Sequence, residues 1–381
     1  MEGNGIKLAD DIINLGIELG ASDIHLEPLE ENLRIRMRVD GLLRVIDYVG
    51  SSKAALISRI KIMSGMDIAE KRIPQDGRYE FTYENRKIDL RIACLPTIFG
   101  EKIVIRILDK GKSLLNLDAL SFSDTNSERY KKLYKSPHGI VLLTGPTGSG
   151  KSTTLYATLL EINSLEKNII TIEDPVEYQL DGINQVSVNV KAGLDFANSL
   201  RSILRQDPDV IMVGEIRDGI TADIAIESGL TGHTVLSTLH CNTAVGTITR
   251  LLDMGVEKYR VASALRGSVA QRLVRRLCPK CKTKREANTF ELSYLELEEN
   301  FEVYEPKGCE LCNNIGFKGR LALQEIFIMD DVFVEAIVKN ASEKELQNLA
   351  VQKGMKTLHE DGREKVLQGL TTVDELLRVG V

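Results

Sequence analysis

The sequence predicts an α/β protein in which a small α+β domain precedes a larger domain built on a parallel sheet, followed by a C-terminal helical bundle. Three observations support this fold class. Apolar and cationic residues alternate within the first hundred positions, four continuous apolar runs follow at intervals long enough for helices, and helix-start signals repeat after residue 329. We place the first domain at residues 1–108, a polar linker at 109–118 and the second domain at 119–381, with the helical subdomain at 330–381.

The first domain opens on a helix and continues as an antiparallel sheet. Apolar residues recur at helical spacing over residues 6–19, and Gly20 stops the run. Residues 33–39 alternate apolar residues with arginine, which is typical of a strand with one solvent-facing side, and Asp40-Gly41 supplies a hairpin turn before residues 42–48. The strand pattern returns three times, over residues 78–83, 87–95 and 101–108.

The second domain contains four continuous apolar runs that indicate strands buried on both faces, at residues 140–143, 169–172, 210–213 and 235–238. The segments between them are long enough for crossover helices, which predicts a parallel sheet. After residue 329, three Ser/Thr-x-x-Glu pairs each precede an amphipathic stretch: Ser342 with Glu345, Thr357 with Glu360, and Thr372 with Glu375. Such pairs predict capped helices.

The composition excludes several classes of protein. With 43% hydrophobic and 27% charged residues among 381, the chain is not expected to be disordered. No window approaches about eighteen uncharged apolar residues, and the N-terminus lacks the layout of a signal peptide, so we expect a cytoplasmic chain with no direct membrane insertion. The net charge of -6 argues against binding nucleic acid through overall charge.

Residues 145–152 fit the pattern G-x-x-x-x-G-K-[ST] between an apolar run and a helix-compatible segment, as in a P-loop. In such a loop the backbone N–H groups hold the phosphates of ATP, Lys151 reaches the β and γ phosphates, and the Ser152 hydroxyl ligates Mg²⁺. The predicted nucleotide-binding residues are Gly145, Pro146, Thr147, Gly148, Ser149, Gly150, Lys151, Ser152 and Thr153.

Two acids follow predicted strands. Glu215 ends an apolar run in the manner of a Walker B element, and it could polarise the attacking water or bind Mg²⁺ through water. Glu173 ends another run, and we expect it to share the catalytic work. His233 and His240 flank the fourth apolar run. They are either structural or sensors of the γ-phosphate.

Four cysteines form two C-x-x-C pairs in the pattern C-x₂-C-x₂₇-C-x₂-C: Cys278, Cys281, Cys309 and Cys312. Four thiolates at this spacing suit tetrahedral Zn²⁺, and because no coordination position stays open, the zinc is expected to be structural. We assign this zinc element to residues 275–325. Cys94 and Cys241 are expected to be core thiols.

Seven cations surround the first cysteine pair, which leaves an alternative function open. A zinc module with a basic stripe can bind nucleic acid, and a nucleotide-switched nucleic-acid-binding protein is therefore a second hypothesis. No aromatic residue lies between these cations and the chain is acidic overall, which favours an interface with a subunit or partner. The cations are Arg272, Arg275, Arg276, Lys280, Lys282, Lys284 and Arg285.

The motifs, in this order, resemble the secretion ATPase superfamily, specifically the assembly ATPases of type II secretion, type IV pilus and competence systems. The resemblance covers nearly the whole chain. It rests on residues 21–28 and 74–78 of the first domain, the P-loop, an Asp box at 173–178, a Walker B segment at 204–218 and a His box at 232–240.

The resemblance implies a RecA-like ATPase domain after a PAS-like domain, in a homohexamer that hydrolyses ATP to assemble a pilin-like fibre. It also implies docking on a platform protein at the cytoplasmic face of the inner membrane, and it makes Arg91 and Arg106 arginines that act on a neighbouring subunit. Pilus retraction ATPases are the alternative within the superfamily, but these relatives lack the cysteine element. Family members commonly carry a further N-terminal domain, which we expect to be absent or cut away here.

Overall fold

The computed structural model describes residues 5–109, 116–298 and 301–381. The chain divides into two compact units, Met1–Leu114 and Leu115–Val381. The division falls within the segment predicted as a linker, of which residues 110–115 lie outside the described ranges.

Over its described residues, 5–109, the first unit contains a six-stranded sheet and two α-helices. Its elements are α1 (Gly5–Glu18), β1 (Ala21–Pro28), β2 (Leu33–Val39), β3 (Leu42–Val49), α2 (Lys53–Met63), β4 (Gln75–Tyr83), β5 (Arg86–Thr97) and β6 (Gly100–Leu108). The strand order is β3-β2-β1-β6-β5-β4, and every neighbouring pair is antiparallel. The predicted antiparallel sheet is therefore confirmed, with β1 and α2 added to the predicted elements.

One face of this sheet is apolar and the other is cationic. Ile24, Leu26, Ile35 and Met37 are fully buried and pack in one core with α1 and α2. The intervening arginines of β2 are half-buried on the opposite face, as the alternation predicted. The second face carries the first unit's functional candidates.

The second unit contains a seven-stranded sheet, a two-stranded ribbon and eleven helices among its described residues. The elements are α3 (Asp124–Tyr134), β7 (Gly139–Thr144), α4 (Lys151–Ile162), β8 (Ile169–Glu173), β9 (Asn184–Ser187), α5 (Phe196–Ile203), β10 (Val210–Val213), α6 (Gly219–Leu230), β11 (Thr234–Leu239), α7 (Gly246–Asp253), α8 (Lys258–Ala264), β12 (Leu265–Leu277), β13 (Lys282–Glu286), α9 (Thr289–Tyr294), β14 (Glu302–Pro306), β15 (Phe317–Ile328), α10 (Asp331–Val338), α11 (Glu343–Gln352), α12 (Leu358–Leu367) and α13 (Val373–Arg378).

The large sheet has the order β15-β12-β7-β11-β10-β8-β9. The four predicted strands, β7, β8, β10 and β11, are parallel as expected. The antiparallel pairing of β12 with β15 makes the whole sheet mixed. Alternate residues of β7 enter different cores: Ile140 and Leu142 pack on one side, and Val141 and Leu143 on the other. The four predicted strands are thus buried on both faces, as expected.

The three predicted C-terminal helices are all capped at the predicted residue, two of them by a complete capping box. Ser342 with Glu345 caps α11, and Thr357 with Glu360 caps α12, with both reciprocal hydrogen bonds present. At α13, Thr372 caps the helix, but Glu375 does not complete a box. Its carboxylate instead accepts hydrogen bonds from arginines of β12 and α13, which are stronger because they are charge-assisted.

Candidate active site

The sheet topology collects the predicted nucleotide-site segments at one edge. Because β7, β8, β10 and β11 are parallel, their carboxyl ends lie together. The P-loop follows β7, Glu173 is the last residue of β8, Glu215 follows β10 by two positions, and His240 directly follows β11. This edge is where α/β proteins bind ligands.

The P-loop backbone suits an anion. The helix α4 begins at Lys151, and its N-cap, Gly150, has no side chain that could bond to the first turn. The N–H groups at the start of a helix lack partners within the helix and attract negative charge. Ser152 is exposed at this end. The loop therefore fits the phosphates of ATP, with the Ser152 hydroxyl available to Mg²⁺.

The P-loop also packs closely on the neighbouring strand β12. Gly145 has a φ of +142°, and a Cβ there would lie 3.2 Å from Nη1 of Arg272 and 2.8 Å from Oγ of Ser149. That Ser149 hydroxyl is buried and has no hydrogen-bond partner among the described residues. Only glycine fits position 145, and the adjacent buried hydroxyl can still accept or donate a bond.

Lys151 folds back over its own loop. Its Nζ donates to the carbonyl oxygens of Gly145 at 2.8 Å and Pro146 at 3.2 Å. Burial lowers the pKa of Lys151; Glu215 opposes this shift, and the positive charge of Arg272 adds to it. A phosphate would supply a negative charge to offset the partial burial of this ammonium.

Glu215 is the centre of a charged cluster at the same edge. Its Oε1 accepts a hydrogen bond from Arg217, and its Oε2 lies 3.7 Å from Nε2 of His240. Arg217 also lies 4.0 Å from Asp174 in the Asp box. Burial and the charge of Lys151 lower the pKa of His240, against the opposing effect of Glu215, so the imidazole is neutral near pH 7.

Glu173 lies behind this cluster and is 4% exposed. Its Oε1 accepts hydrogen bonds from Thr171 at 2.6 Å and Gln185 at 3.0 Å, and its Oε2 accepts one from the hydroxyl of Tyr156. The Tyr156 hydroxyl in turn accepts the N–H of Glu177 at 3.2 Å. Internal donors therefore occupy the carboxylate that was predicted to share the catalytic work with Glu215, and they tie it to the Asp box.

The structure separates the two histidines. In the pairing of β11 with β7, Leu239 lies opposite Thr144 beside the P-loop, whereas Thr234 lies opposite Gly139 at the other edge. His233 precedes Thr234, and its Nδ1 lies 3.1 Å from the carbonyl oxygen of Ser228. It is about 20 Å from His240 along the strand. His233 therefore lies at the amino end of β11, whereas His240 lies at the carboxyl end beside the P-loop.

Arg91 and Arg106 lie on the cationic face of the first unit. The strand register places Arg78 opposite Arg91, Arg91 opposite Arg106, and Arg106 opposite Asp23. Nε of Arg106 lies 3.0 Å from Oδ1 of Asp23. The three arginines line an open cavity of about 420 Å³. Such a row of guanidinium groups suits an anion, and Arg78 is a member that the sequence analysis missed.

The four predicted zinc ligands come together. Their Sγ atoms all lie within 4.8 Å of one another, with 3.9 Å between Cys278 and Cys309 and 3.7 Å between Cys281 and Cys312. Tetrahedral zinc with Zn–S bonds of about 2.3 Å requires S···S distances of about 3.8 Å. The N–H groups of Cys309 and Gly316 each lie 3.2 Å from Sγ of Cys312, as expected around a thiolate. The donor set therefore fits zinc.

Comparison with known proteins places the whole chain in one family. The family model described as "Type II/IV secretion system protein" matches residues 2–378. The chain belongs to this family. "Type II secretion system ATPase E" of Vibrio cholerae is 47% identical over 98% of this chain and 75% of its own length. "Type IV pilus assembly ATPase PilB" of Thermus thermophilus is 48% identical over 97% of this chain and 42% of its own length.

Solved structures agree with this assignment. The Legionella pneumophila ATPase DotB has the same fold, with a TM-score of 0.73 at 22% identity over 99% of this chain and 96% of its own. The pilus retraction motor PilT, solved with bound ADP, has a TM-score of 0.65 at 27% identity over 97% of this chain and 96% of its own. The chain is thus an ATP-hydrolysing enzyme of the type II/IV secretion family.

Most of the predicted basic stripe of this secretion ATPase is engaged within the fold. Arg275 pairs with Glu375 at 2.8 Å, Lys284 with Glu302 at 2.7 Å and Arg285 with Glu291 at 2.6 Å; Lys282 donates to the carbonyl oxygen of Gly369 at 2.7 Å and Arg272 to that of Asn242 at 3.2 Å. A nucleic-acid surface needs cations that face solvent. The stripe therefore does not favour the nucleic-acid alternative.

Two cations of the site were not identified from the sequence. Arg217 lies two positions after Glu215, a spacing that puts both side chains on one side of an extended segment and could have indicated the pair. Arg272 was assigned to the basic stripe, and no sequence signal marks it, because its burial depends on the pairing of β12 with β15 and on its bond to the carbonyl oxygen of Asn242. Among the described residues, no helix is both long and apolar enough to cross a membrane.

Proposed function

We propose that this ATPase is the motor that drives assembly of a pilus or pseudopilus in a type II secretion, type IV pilus or competence system. One observation carries the proposal. The P-loop, Glu215 and His240 meet at one sheet edge in a chain that is 47% identical to a type II secretion ATPase and 48% identical to a pilus assembly ATPase. Identity to the retraction motor PilT is lower, at 27%, which favours assembly over retraction.

The P-loop residues hold the nucleotide in this proposal. The phosphates lie against the N–H groups at the start of α4, and Lys151 exchanges the carbonyl oxygens of its loop for the β and γ phosphates. Ser152, with Thr153 beside it, would hold Mg²⁺ through its exposed hydroxyl. When bound, Mg²⁺ neutralises charge on the phosphate oxygens and orients them for transfer.

Glu215 orients the attacking water and accepts a proton from it. The bond from Arg217 holds the carboxylate in place before nucleotide binds, and the neutral His240 can donate or accept a bond at the γ-phosphate. Glu173 contributes through Tyr156 by fixing the Asp box, whose Asp174 lies near Arg217. This makes Glu215 the catalytic carboxylate and Glu173 a positioning residue.

The working form is a homohexamer in which Arg91 and Arg106 of one subunit act on the nucleotide of its neighbour. An arginine supplied across a boundary stabilises transition-state charge and is worth roughly 10³ to 10⁵ in rate in other systems. The first unit, taken as a PAS-like domain, carries these arginines, and the cysteine cluster holds structural zinc. The ring docks on an inner-membrane platform protein at the cytoplasmic face of the membrane.

Two substitutions test the chemistry. Glu215→Gln keeps the shape of the side chain but removes the carboxylate, so it should bind ATP and hydrolyse it at least about a hundredfold more slowly. Lys151→Ala should lose ATP binding. Glu227→Gln, on exposed helix surface, is the matched control and should behave like the unaltered chain. Near-normal turnover by Glu215→Gln would overturn its assignment.

The cellular role needs a separate measurement. Cells that carry only the Lys151→Ala chain should make no extracellular fibre and should retain the secreted substrate in the periplasm. An excess of fibres in those cells would instead identify a retraction motor. Normal fibres would contradict both roles.

A further inference from the structure

Gln271 lies directly beneath the P-loop, one residue beyond the part of β12 that pairs with β7. Its neighbour Ala270 pairs with Thr144, the last residue before the loop. Gln271 is only 1% exposed. A buried amide must satisfy its donors and its acceptor within the protein, so the partners of this side chain show what it holds in place.

Both ends of the Gln271 amide bond to the loop and to the helix that follows it. Its Nε2 donates to the carbonyl oxygen of Ser149 at 2.7 Å. Its Oε1 accepts the hydroxyl of Thr154, on the first turn of α4, at 3.0 Å. The Thr154 hydroxyl also lies 3.2 Å from the carbonyl oxygen of Gly150. The amide therefore bridges the phosphate loop and the start of the helix.

The bond to Ser149 determines the direction of one N–H group. In a trans peptide the carbonyl of one residue and the N–H of the next point in opposite directions. With the Ser149 carbonyl held toward β12, the N–H of Gly150 points away from β12, to the side of the loop that is open to a phosphate. A rotation of this peptide unit would turn a carbonyl oxygen toward the phosphates, where it would repel them.

The close approach of Gln271 also restricts position 150 to glycine. A Cβ at position 150 would lie 2.9 Å from Nε2 of Gln271, and the residue has a φ of +87°. Both the backbone conformation and the amide beneath it therefore require glycine here. The P-loop pattern and Gln271 are thus parts of one arrangement, although more than a hundred residues separate them.

We propose that Gln271 is a positioning residue that holds the P-loop in its phosphate-binding form by fixing the peptide unit between Ser149 and Gly150. The inference rests on the proposed nucleotide site. It assigns no contact between Gln271 and the nucleotide, because the side chain lies on the far side of the loop.

The chain contains a matched control for the test. Gln324 lies directly opposite Gln271 in the pairing of β12 with β15, and it is 0% exposed. Its Nε2 lies 3.5 Å from the carbonyl oxygen of Leu120. Gln271→Met and Gln324→Met each remove one buried amide from the same strand pair, but only the first releases the P-loop.

The measurement is ADP and ATP affinity of the full chain by calorimetry, with the thermal unfolding midpoint recorded for each variant. Gln271→Met leaves the Ser149 carbonyl without its donor, which should weaken affinity roughly tenfold or more. Gln324→Met should bind as the unaltered chain does, even if its midpoint falls by a similar amount. Steady-state kinetics should show the Gln271→Met effect mainly as a higher KM.

Gln271→Glu provides a pH-dependent test whose result a general loss of stability could not produce. A protonated carboxyl can donate to the Ser149 carbonyl oxygen and accept from the Thr154 hydroxyl, as the amide does. A carboxylate has no proton to donate, so its oxygen and the Ser149 carbonyl oxygen would repel each other. Nucleotide affinity of Gln271→Glu should therefore recover as the pH is lowered from 8 toward 6, relative to the unaltered chain at each pH. Burial favours the protonated form and places this recovery in an accessible range.

The outcomes separate the two proposals. If the unaltered chain binds neither nucleotide, the proposed nucleotide site is wrong. If it binds and Gln271→Met binds equally well, or if Gln324→Met loses as much affinity, the positioning role of Gln271 is wrong. Weaker binding by Gln271→Met alone, with pH-dependent recovery by Gln271→Glu, supports it.

Discussion

Arg91 lies directly opposite Arg106 in the antiparallel pairing of β5 with β6, and Arg78 lies opposite Arg91 on its other side. Like charges on facing positions of a sheet repel one another, by up to about 1 kcal/mol per pair. In the described part of this row, Asp23 is the acid that lies opposite one of the arginines. Such a row of guanidinium groups beside an open cavity suits an anion supplied from outside the sheet.

Arg91→Gln should therefore separate stability from activity. Arg91 is half-buried on the cationic face of the sheet, outside the apolar core, so the substitution should change the unfolding midpoint of the first unit only slightly. ATPase activity should fall by roughly 10³ or more, because a transition-state cation is lost. Calorimetry and a steady-state assay on the same preparation check both. The matched control is Arg34→Gln on β2, which breaks an ion pair with Glu27 and should lower the midpoint without a comparable loss of rate.

Some of the fold could be predicted because a short continuous apolar run has few structural interpretations other than a buried strand. Residues 140–143 and 210–213 lie within or coincide with observed strands. β12 and β15 escaped prediction because their buried positions include Gln271, Arg272 and Glu325, all less than 10% exposed. In a sequence pattern, polar residues indicate solvent-exposed positions, so these buried ones were not recognised as parts of strands. Their hydrogen-bond partners come only from the pairing of distant strands.

Prediction of the candidate site from the sequence was limited in the same way, by contacts between distant segments. Lys151 belongs to a local motif, so its position beside the phosphate loop followed from spacing alone. His233 could have been set apart from His240 by topology, because only residues after a parallel strand reach its carboxyl edge. The hydrogen-bond partners of Glu173 could not have been predicted from the sequence, since Tyr156 lies on α4 and Gln185 on β9. Such contacts depend on how the elements pack.

The cysteine cluster predicts one zinc per chain. A four-cysteine site can contribute on the order of 10 kcal/mol to local folding, so Cys309→Ser should destabilise residues 275–325 while ATP binding survives. Elemental analysis and hydrogen exchange measure the two effects. Cys94→Ser removes a buried thiol from the first unit and should leave the zinc content unchanged. Well under one zinc per chain, in protein never exposed to a chelator, would contradict the prediction.

The ion pairs of Glu375 should hold α13 in place less strongly at acidic pH, which lowers the stability of the fold. Although burial opposes it, hydrogen bonds from Arg378 and Arg275 lower the pKa of Glu375 from 4.5 to about 2. A depressed pKa stabilises the folded state above the unfolded value, and this contribution, on the order of 3 kcal/mol, disappears as the pH falls from about 4.5 to about 2. The thermal midpoint of Glu375→Gln should thus lie well below that of the unaltered chain at pH 7, and the gap should narrow toward pH 3. Asp374→Asn, on the exposed side of the same helix, should show no such gap.

The trans-arginine arrangement predicts that two inactive chains restore activity when mixed. Arg106→Ala keeps an intact P-loop but supplies a defective arginine row to its neighbour, whereas Lys151→Ala has the opposite defect. In a ring assembled from equal amounts, about a quarter of the interfaces pair an intact P-loop with an intact row, so up to about a quarter of normal activity should return. Specific activity of the unaltered chain should likewise rise with protein concentration until rings form.

A second mixture controls for effects of mixing itself. Arg106→Ala combined with Arg91→Ala gives rings in which every arginine row is defective, so no interface is complete and activity should stay low. Subunit exchange can be verified by mass measurement of rings whose two chains carry different tags. If such mixed rings form, and the combination of Arg106→Ala with Lys151→Ala stays inactive while a dilute monomer hydrolyses ATP at the full rate, each chain carries a complete site. The arginines would then act within their own subunit or bind another anion.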